Sequence, residues 1–218
     1  MTDKINLGAI RKNYASRDLT ETSILNNPFD QFNQWLHEAI QAQVEEPTAM
    51  VLSTVSAAGK PSARVVLLKG LENEQFVFFT NYNSRKGQNL AENPQVALNF
   101  FWPTLERQVR IEGWVSKVSP TISDNYFASR PRGSQVGAWV SPQSQVIANR
   151  QVLENATSEF NQKQPGNDSI SRPPHWGGYG VSPNYIEFWQ GRPNRLHDRL
   201  AFTKADETQP WQLSRLAP

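Results

Sequence analysis

The feature that most constrains this chain is a series of short β-type segments set apart by turn-length gaps. Ala49–Val55 and Ser62–Lys69 flank the turn residues of SAAGKP, and Gln75–Thr80 is rich in Phe and Val. Gln95–Trp102 and Arg107–Val118 are separated by a turn at Pro103, and Tyr185–Gln190, Leu196–Thr203 and Trp211–Leu216 read as late strands. Parallel strands need crossovers of a dozen or more residues, whereas these gaps are hairpin-sized. The pattern predicts an antiparallel barrel with helices inserted rather than alternating: mainly β, with attached α-helices.

The helices follow from apolar spacing. Phe32, Trp35, Leu36, Ala39 and Ile40 recur on one face of a helix predicted over 29–45, opened by Pro28 and closed before Pro47. Ser84–Ala91 reads as a short helix. Ser119–Pro120 opens another, which Pro131 closes. Val146, Leu153 and Phe160 lie seven apart on a helix predicted over 144–160. NQKQPGNDSISRPP reads as a loop. Residues 1–25 are polar and aperiodic, so they are expected to form a mobile or docking arm ahead of one domain over 26–218.

Several function classes are excluded early. The chain has no cysteine, hence no disulfide framework, thiolate nucleophile or Cys-ligated metal. Its three histidines, His37, His175 and His197, show no metal-ligand spacing, and no metal is expected. There is no P-loop, G-x-G-x-x-G unit or G-x-S-x-G elbow. The 22 Lys+Arg against 20 Asp+Glu leave +2, too little for a dedicated polyanion binder, so no nucleic-acid partner is expected. No apolar run reaches about 18 residues, and MTDKINLGAI has no hydrophobic signal region; the reading is soluble, cytoplasmic and without a membrane partner.

The informative signal is cations placed beside aromatic residues. In NSRKGQNL, Arg85 and Lys86 fall in the first turn of a helix, where they oppose its dipole unless a phosphate sits there. In SPTISDNYFASRPRGSQ, Tyr126 and Arg130 share a helix face and Ser134 follows the Pro131 break. In RLHDR, an unbroken strand would align Arg195, His197 and Arg199 on one face, where they repel one another without an anion. In SARVVLLK, the spacing of Arg64 and Lys69 puts them on opposite faces unless the strand is interrupted. Each pattern alone is also met by solvated surface charges. Together they point to one or two small phosphorylated aromatic ligands.

The residues RVVLLK (64–69), FFTNYNSRKG (78–87), TLERQVRIEG (104–113), YFASRPRGSQVGAWVSPQS (126–144), IEFWQGRPNRLHDR (186–199) and RLAP (215–218) resemble the pyridoxine/pyridoxamine 5′-phosphate oxidase family. The resemblance implies a homodimer of Greek-key split β-barrels, with FMN at the subunit interface. It implies oxidation of pyridoxine 5′-phosphate and pyridoxamine 5′-phosphate by O₂ to pyridoxal 5′-phosphate, with release of hydrogen peroxide, and of ammonia from the amine. FMN would be held by Arg64, Val65, Val66, Leu67, Leu68, Phe79, Thr80, Arg85, Lys86, Gln108, Gln143, Ser144, Trp189 and Arg199. The substrate phosphate would be held by Lys69, Tyr126, Arg130 and Ser134. Arg195, Leu196 and His197 would lie against the pyridine ring, with Arg195 and His197 as the catalytic pair. Arg11, Lys12, Asn13 and Tyr14 match a segment that folds over the substrate. That segment often reads RREY in relatives, so Lys12 and Asn13 depart from the pattern at the lid contact; Phe79 stands where some relatives have Tyr, which removes one hydroxyl, and neither departure touches the phosphate-binding cations. Three other readings stay open at this level: a split-barrel flavin reductase, a non-enzymatic carrier, and nucleic-acid binding.

Overall fold

The structure is a computed structural model of the 218-residue chain. It describes residues 7, 13–15, 17–166, 169–206 and 208–218. In chain order the elements are α1 (Pro28–Gln41), β1 (Ala49–Val55), β2 (Pro61–Leu67), β3 (Gly70–Glu72), β4 (Gln75–Asn81) and α2 (Arg85–Glu92). Then come β5 (Gln95–Trp102), β6 (Arg107–Lys117), α3 (Pro120–Ser129), α4 (Arg132–Val140), α5 (Gln151–Lys163), β7 (Trp176–Gln190), β8 (Asp198–Thr203) and β9 (Gln212–Arg215). The nine strands form one sheet in the order β2-β1-β5-β6-β7-β4-β3, with β8 on β7 and β9 on β8. The pairs β1–β2, β3–β4, β4–β7, β7–β8 and β8–β9 are antiparallel. The expected class, antiparallel β with inserted helices, is the one observed.

The fold comprises two compact units. One contains the described residues up to Pro47 together with Asn99–Ile111 and Asn184–Pro218; the other contains Thr48–Leu98 and Glu112–Pro183. In the first unit α1 begins where Pro28 occupies its first turn and the Asn27 side chain accepts from the Phe29 and Asp30 amides. Its apolar stripe buries Phe32, Trp35 and Ala39. Phe32 meets Phe100 edge-on at 5.0 Å, and Trp35 meets Phe188 at 5.2 Å. In the second unit alternate residues of β1, Met50, Leu52 and Thr54, point inward, as the period of two requires.

Several boundaries differ from the sequence reading for local reasons. The first helix stops at Gln41, because Gln43 takes a left-handed conformation (φ 52°), and Ile40 is 51% exposed rather than buried. The predicted helix over 144–160 starts only at Gln151 and runs on to Lys163; Ser144 itself is left-handed (φ 72°), so it cannot open the helix. Pro131 ends α3 but also starts α4, a helix the proline break concealed. β7 starts at Trp176, well before Tyr185, because Gly177, Gly178 and Gly180 disguise a strand. The unbroken strand through RLHDR is not formed. A tight turn occupies Pro193–Arg195 and β8 starts at Asp198, so Arg195 and His197 are not strand residues.

Candidate functional site

Within the second unit, a pocket of about 350 Å³ is lined by residues from separate parts of the chain. From β2 come Arg64, Val65, Val66 and Leu67, and beyond its end Lys69. From β4 come Phe79 and Thr80, from the start of α2 Lys86, from α3 and its end Tyr126 and Arg130, and from the loop after α4 Gln143. Arg64 and Lys69 meet the same pocket because β2 ends at Leu67, which removes the opposite-face constraint of an unbroken strand.

Arg64 is fixed without a carboxylate. One guanidinium nitrogen donates to the Leu52 carbonyl and to Thr54 Oγ1, both at 2.9 Å, and the other donates to Ser62 Oγ at 2.8 Å. Lys86 is fixed the same way. Its Nζ donates to Gln143 Oε1 at 2.7 Å, Thr80 Oγ1 at 2.9 Å and Ser84 Oγ at 3.4 Å. Ser84 also caps α2, accepting from the Gly87 amide. A Cβ at position 87 would overlap the Tyr82 carbonyl, so SRKG needs its glycine to hold this close turn. Burial, with Arg64 adding repulsion, lowers the Lys86 pKa to about 8. Burial also lowers the pKa of Arg64, with exposed Arg85 as the second cause.

At the other side of the pocket lie three nearly parallel rings. Phe79 stacks on Tyr126 at 3.9 Å and on Trp176 at 5.5 Å. The Arg130 guanidinium lies over the Trp176 indole at 4.5 Å. Its NH1 is buried with no hydrogen-bond partner among the described residues. The lining has four cations, Arg64, Lys69, Lys86 and Arg130, and no carboxylate. A buried N–H without an acceptor costs about 1–3 kcal/mol, and clustered cations repel. A bound anion answers both, and a phosphate monoester fits the donor set.

In the first unit a second group gathers. The His197 ring lies 4.6 Å from Trp189 and 5.8 Å from Tyr14. The Arg192 amide donates to His197 Nδ1 at 3.1 Å, which makes Nδ1 the acceptor and leaves the ring proton on Nε2. Burial, and secondarily Arg195, lowers the His197 pKa, favouring the neutral ring. Arg199 is clamped by buried Glu187, Nε to Oε1 at 2.7 Å and NH2 to Oε2 at 3.1 Å. Glu187 also accepts from Arg110 at 3.1 Å and from the Tyr185 hydroxyl at 2.7 Å. Arg195 and Leu196 are exposed, and Gln108 is half-buried in β6.

Eleven of the expected residues therefore line one pocket, while Leu68 turns into the core and is 5% exposed. Arg85, Ser134 and Ser144 do not line it. Of the N-terminal group, Arg11 and Lys12 lie outside the described residues; Asn13 is exposed, and Tyr14 packs on Trp189 and His197. Trp176 is the pocket residue sequence reasoning missed. The signal available was its place after a proline pair and before the glycines of β7.

The family description "Pyridoxamine 5′-phosphate oxidase" matches residues 36–164, more than half of the chain. The chain belongs to the pyridoxamine 5′-phosphate oxidase family. Residues 176–218 match a second description, "Pyridoxine 5′-phosphate oxidase C-terminal dimerisation region". A pyridoxine/pyridoxamine 5′-phosphate oxidase of Paraburkholderia xenovorans (strain LB400) is 54% identical over 97% of this chain and 99% of that protein. Its counterpart in Synechocystis sp. is 53% identical over 99% of this chain and 100% of that protein. Among solved structures, PhzG from Burkholderia lata 383, in complex with tetrahydrophenazine-1-carboxylic acid, is similar with a TM-score of 0.85. It is 26% identical over 94% of this chain and all of that one. An FMN-binding protein from Nostoc punctiforme, 16% identical over 88% of this chain and 98% of that one, shares the fold at a TM-score of 0.71. In this member of the pyridoxamine 5′-phosphate oxidase family the cationic pocket is built from β2, β4, α2, α3 with its C-cap, and β7, with Lys69 and Gln143 from the connecting segments. Among its described helices none is long and apolar enough to cross a membrane.

Proposed function

We propose that this chain is an FMN-dependent oxidase that converts pyridoxine 5′-phosphate and pyridoxamine 5′-phosphate to pyridoxal 5′-phosphate. The observation that carries the reading is the carboxylate-free pocket with its four cations and an unpartnered Arg130 N–H. Full-length identity above 50% with named oxidases supports the same reaction.

Both ligands are phosphate monoesters on aromatic systems, and the pocket offers donors for each. Arg64 and Lys86 would hold the flavin phosphate from the pocket lining, with Thr80 and Gln143 orienting the Lys86 ammonium, and Arg85, outside the lining, would add its charge from the start of α2. Lys69, Tyr126 and Arg130 would hold the substrate phosphate, assisted by Ser134. When bound, flavin supplies two-electron acceptor chemistry at the substrate C4′, with O₂ as final acceptor and hydrogen peroxide as product. The protein's task is orientation. Arg195 would orient the pyridine ring and stabilise charge developing on it. His197, neutral with its proton on Nε2, would donate a hydrogen bond from that atom. Trp189, Gln108 and Arg199, the last held by Glu187, would complete the flavin site in a homodimer, and Tyr14 would cover the substrate. A cytoplasmic location belongs to the same proposal.

Substitution of Arg130 by Ala tests the reading. Affinity for the phosphorylated substrate should fall more than tenfold with flavin still bound. Unchanged substrate affinity would remove Arg130 from the phosphate site.

A further inference from the structure

We infer that Trp176 is a positioning residue for the substrate phosphate, holding Arg130 in place while leaving its charge free for the ligand. The inference rests on the phosphate site proposed above and adds to it a residue that need not touch the phosphate.

The ring is buried and packed on several sides. Trp176 is the first residue of β7, opposite Asn81 of β4, and is 6% exposed. Its carbonyl accepts from Arg172 NH1 at 2.6 Å, and its amide donates to the Pro173 carbonyl at 3.1 Å. Phe127 packs edge-on against it at 5.3 Å, and Ile170 belongs to the same apolar cluster. Over this fixed face sits the Arg130 guanidinium, also 5.7 Å from the Phe127 ring.

Two neighbouring arginines make the contrast. Arg172 is held by a carboxylate, its Nε donating to Asp124 Oδ1 at 2.6 Å. Arg130 has no carboxylate partner among the described residues, and the indole takes that place. A carboxylate would neutralise Arg130 and compete with phosphate for its N–H groups. An aromatic face offsets part of the cation's lost hydration without accepting a conventional hydrogen bond in the guanidinium plane. The buried, unpartnered NH1 is the mark of this arrangement. Trp176 thus serves as the floor on which the phosphate-binding cation rests, and Phe79 and Tyr126, at 8° to 19° between planes, stack with it.

The test is calorimetric titration of the flavin-loaded protein with pyridoxal 5′-phosphate and with pyridoxal, for Trp176→Phe, Trp176→Leu, Arg130→Ala and each Trp176 change combined with Arg130→Ala. The preference for the phosphorylated ligand should fall roughly tenfold in Trp176→Leu and about threefold in Trp176→Phe, with pyridoxal affinity and flavin content unchanged. In the Arg130→Ala background neither change should lower that preference further. Equal losses for both ligands, or the same loss with and without Arg130, would overturn the positioning role. If Trp176→Leu does not fold, the Trp176→Phe cycle decides by the same criterion. If Arg130→Ala itself keeps the phosphate preference, the phosphate site is wrong and the role of Trp176 falls with it.

Discussion

Lys86 Nζ donates to Gln143 Oε1 at 2.7 Å, joining the first turn of α2 to the loop after α4 across 57 positions of sequence. An ammonium met only by neutral oxygens, in a half-buried place beside Arg64, has no carboxylate to compete with a bound phosphate for its charge. Lys86→Ala should weaken FMN binding by about 1.5–3 kcal/mol, the range for hydrogen bonds to charged groups. Arg85→Ala, at an exposed position, should weaken it by at most about 1 kcal/mol. Flavin fluorescence titration separates the two, and equal losses would contradict this ranking.

The pH dependence of FMN affinity carries the same signature. Burial, then Arg64, lowers the Lys86 pKa to about 8 from its ordinary value near 10.5. A bound phosphate stabilises the charged form and raises that pKa, so binding takes up a proton above pH 8. Affinity should therefore hold below pH 8 and decline as pH rises from 8 to 9.5, by up to tenfold per unit. Lys86→Gln should bind more weakly and lose this decline. A wild-type affinity that is flat across that range would contradict the prediction.

Glu187 is the corresponding anchor of the other unit. Burial pushes its pKa up, but the hydrogen bonds from Arg199 and Tyr185 and the charges of Arg199 and Arg110 outweigh burial, and the net shift is downward. A lowered carboxylate stabilises the fold above its ordinary range and loses that contribution as pH falls through the folded value. Glu187→Gln should cost about 3 kcal/mol at neutral pH, because it leaves Arg199 without its anion. Urea denaturation at pH 7 and below pH 4 should show the gap between wild type and variant narrowing in acid. A constant gap would contradict the assignment.

Asn194 and Arg195 are both left-handed, with φ of 57° and 62°, in a turn closed by the Leu196 amide on the Pro193 carbonyl at 3.1 Å. Asparagine tolerates this conformation, and arginine there is strained by about 1 kcal/mol. Arg195→Gly should therefore keep or raise the melting temperature while lowering turnover. Arg195→Ala should lower turnover with no gain in stability and with FMN affinity little changed. A glycine variant that melts several degrees lower would show the strain to be absent.

The strands with strong β composition were legible from sequence: β1 and β5 have the predicted ends, and β4 and β6 differ by one residue at one end. Where proline or glycine carried two meanings, reading failed. Pro131 both stops α3 and starts α4, and the glycines that hide the start of β7 also hid Trp176. The cation pairs were visible as electrostatic conflicts, because Arg85–Lys86 oppose a helix dipole whatever the fold. The carboxylate-free pocket was not visible, since it depends on which distant residues approach Arg64 and Lys86, as Thr54 and Gln143 do. The turn at 193–195 was missed because RLHDR has strand-like alternation, while its backbone is set by Pro193 and the left-handed Asn194.

The central claim, that this pocket serves FMN-dependent oxidation of a phosphorylated pyridine, is met most directly by one aerobic assay. Purified protein with FMN and pyridoxine 5′-phosphate is followed for aldehyde and peroxide together. Both should appear in equal amounts, and neither should appear with unphosphorylated pyridoxine at the same concentration. Bound flavin with no aldehyde and no peroxide would contradict the oxidase assignment.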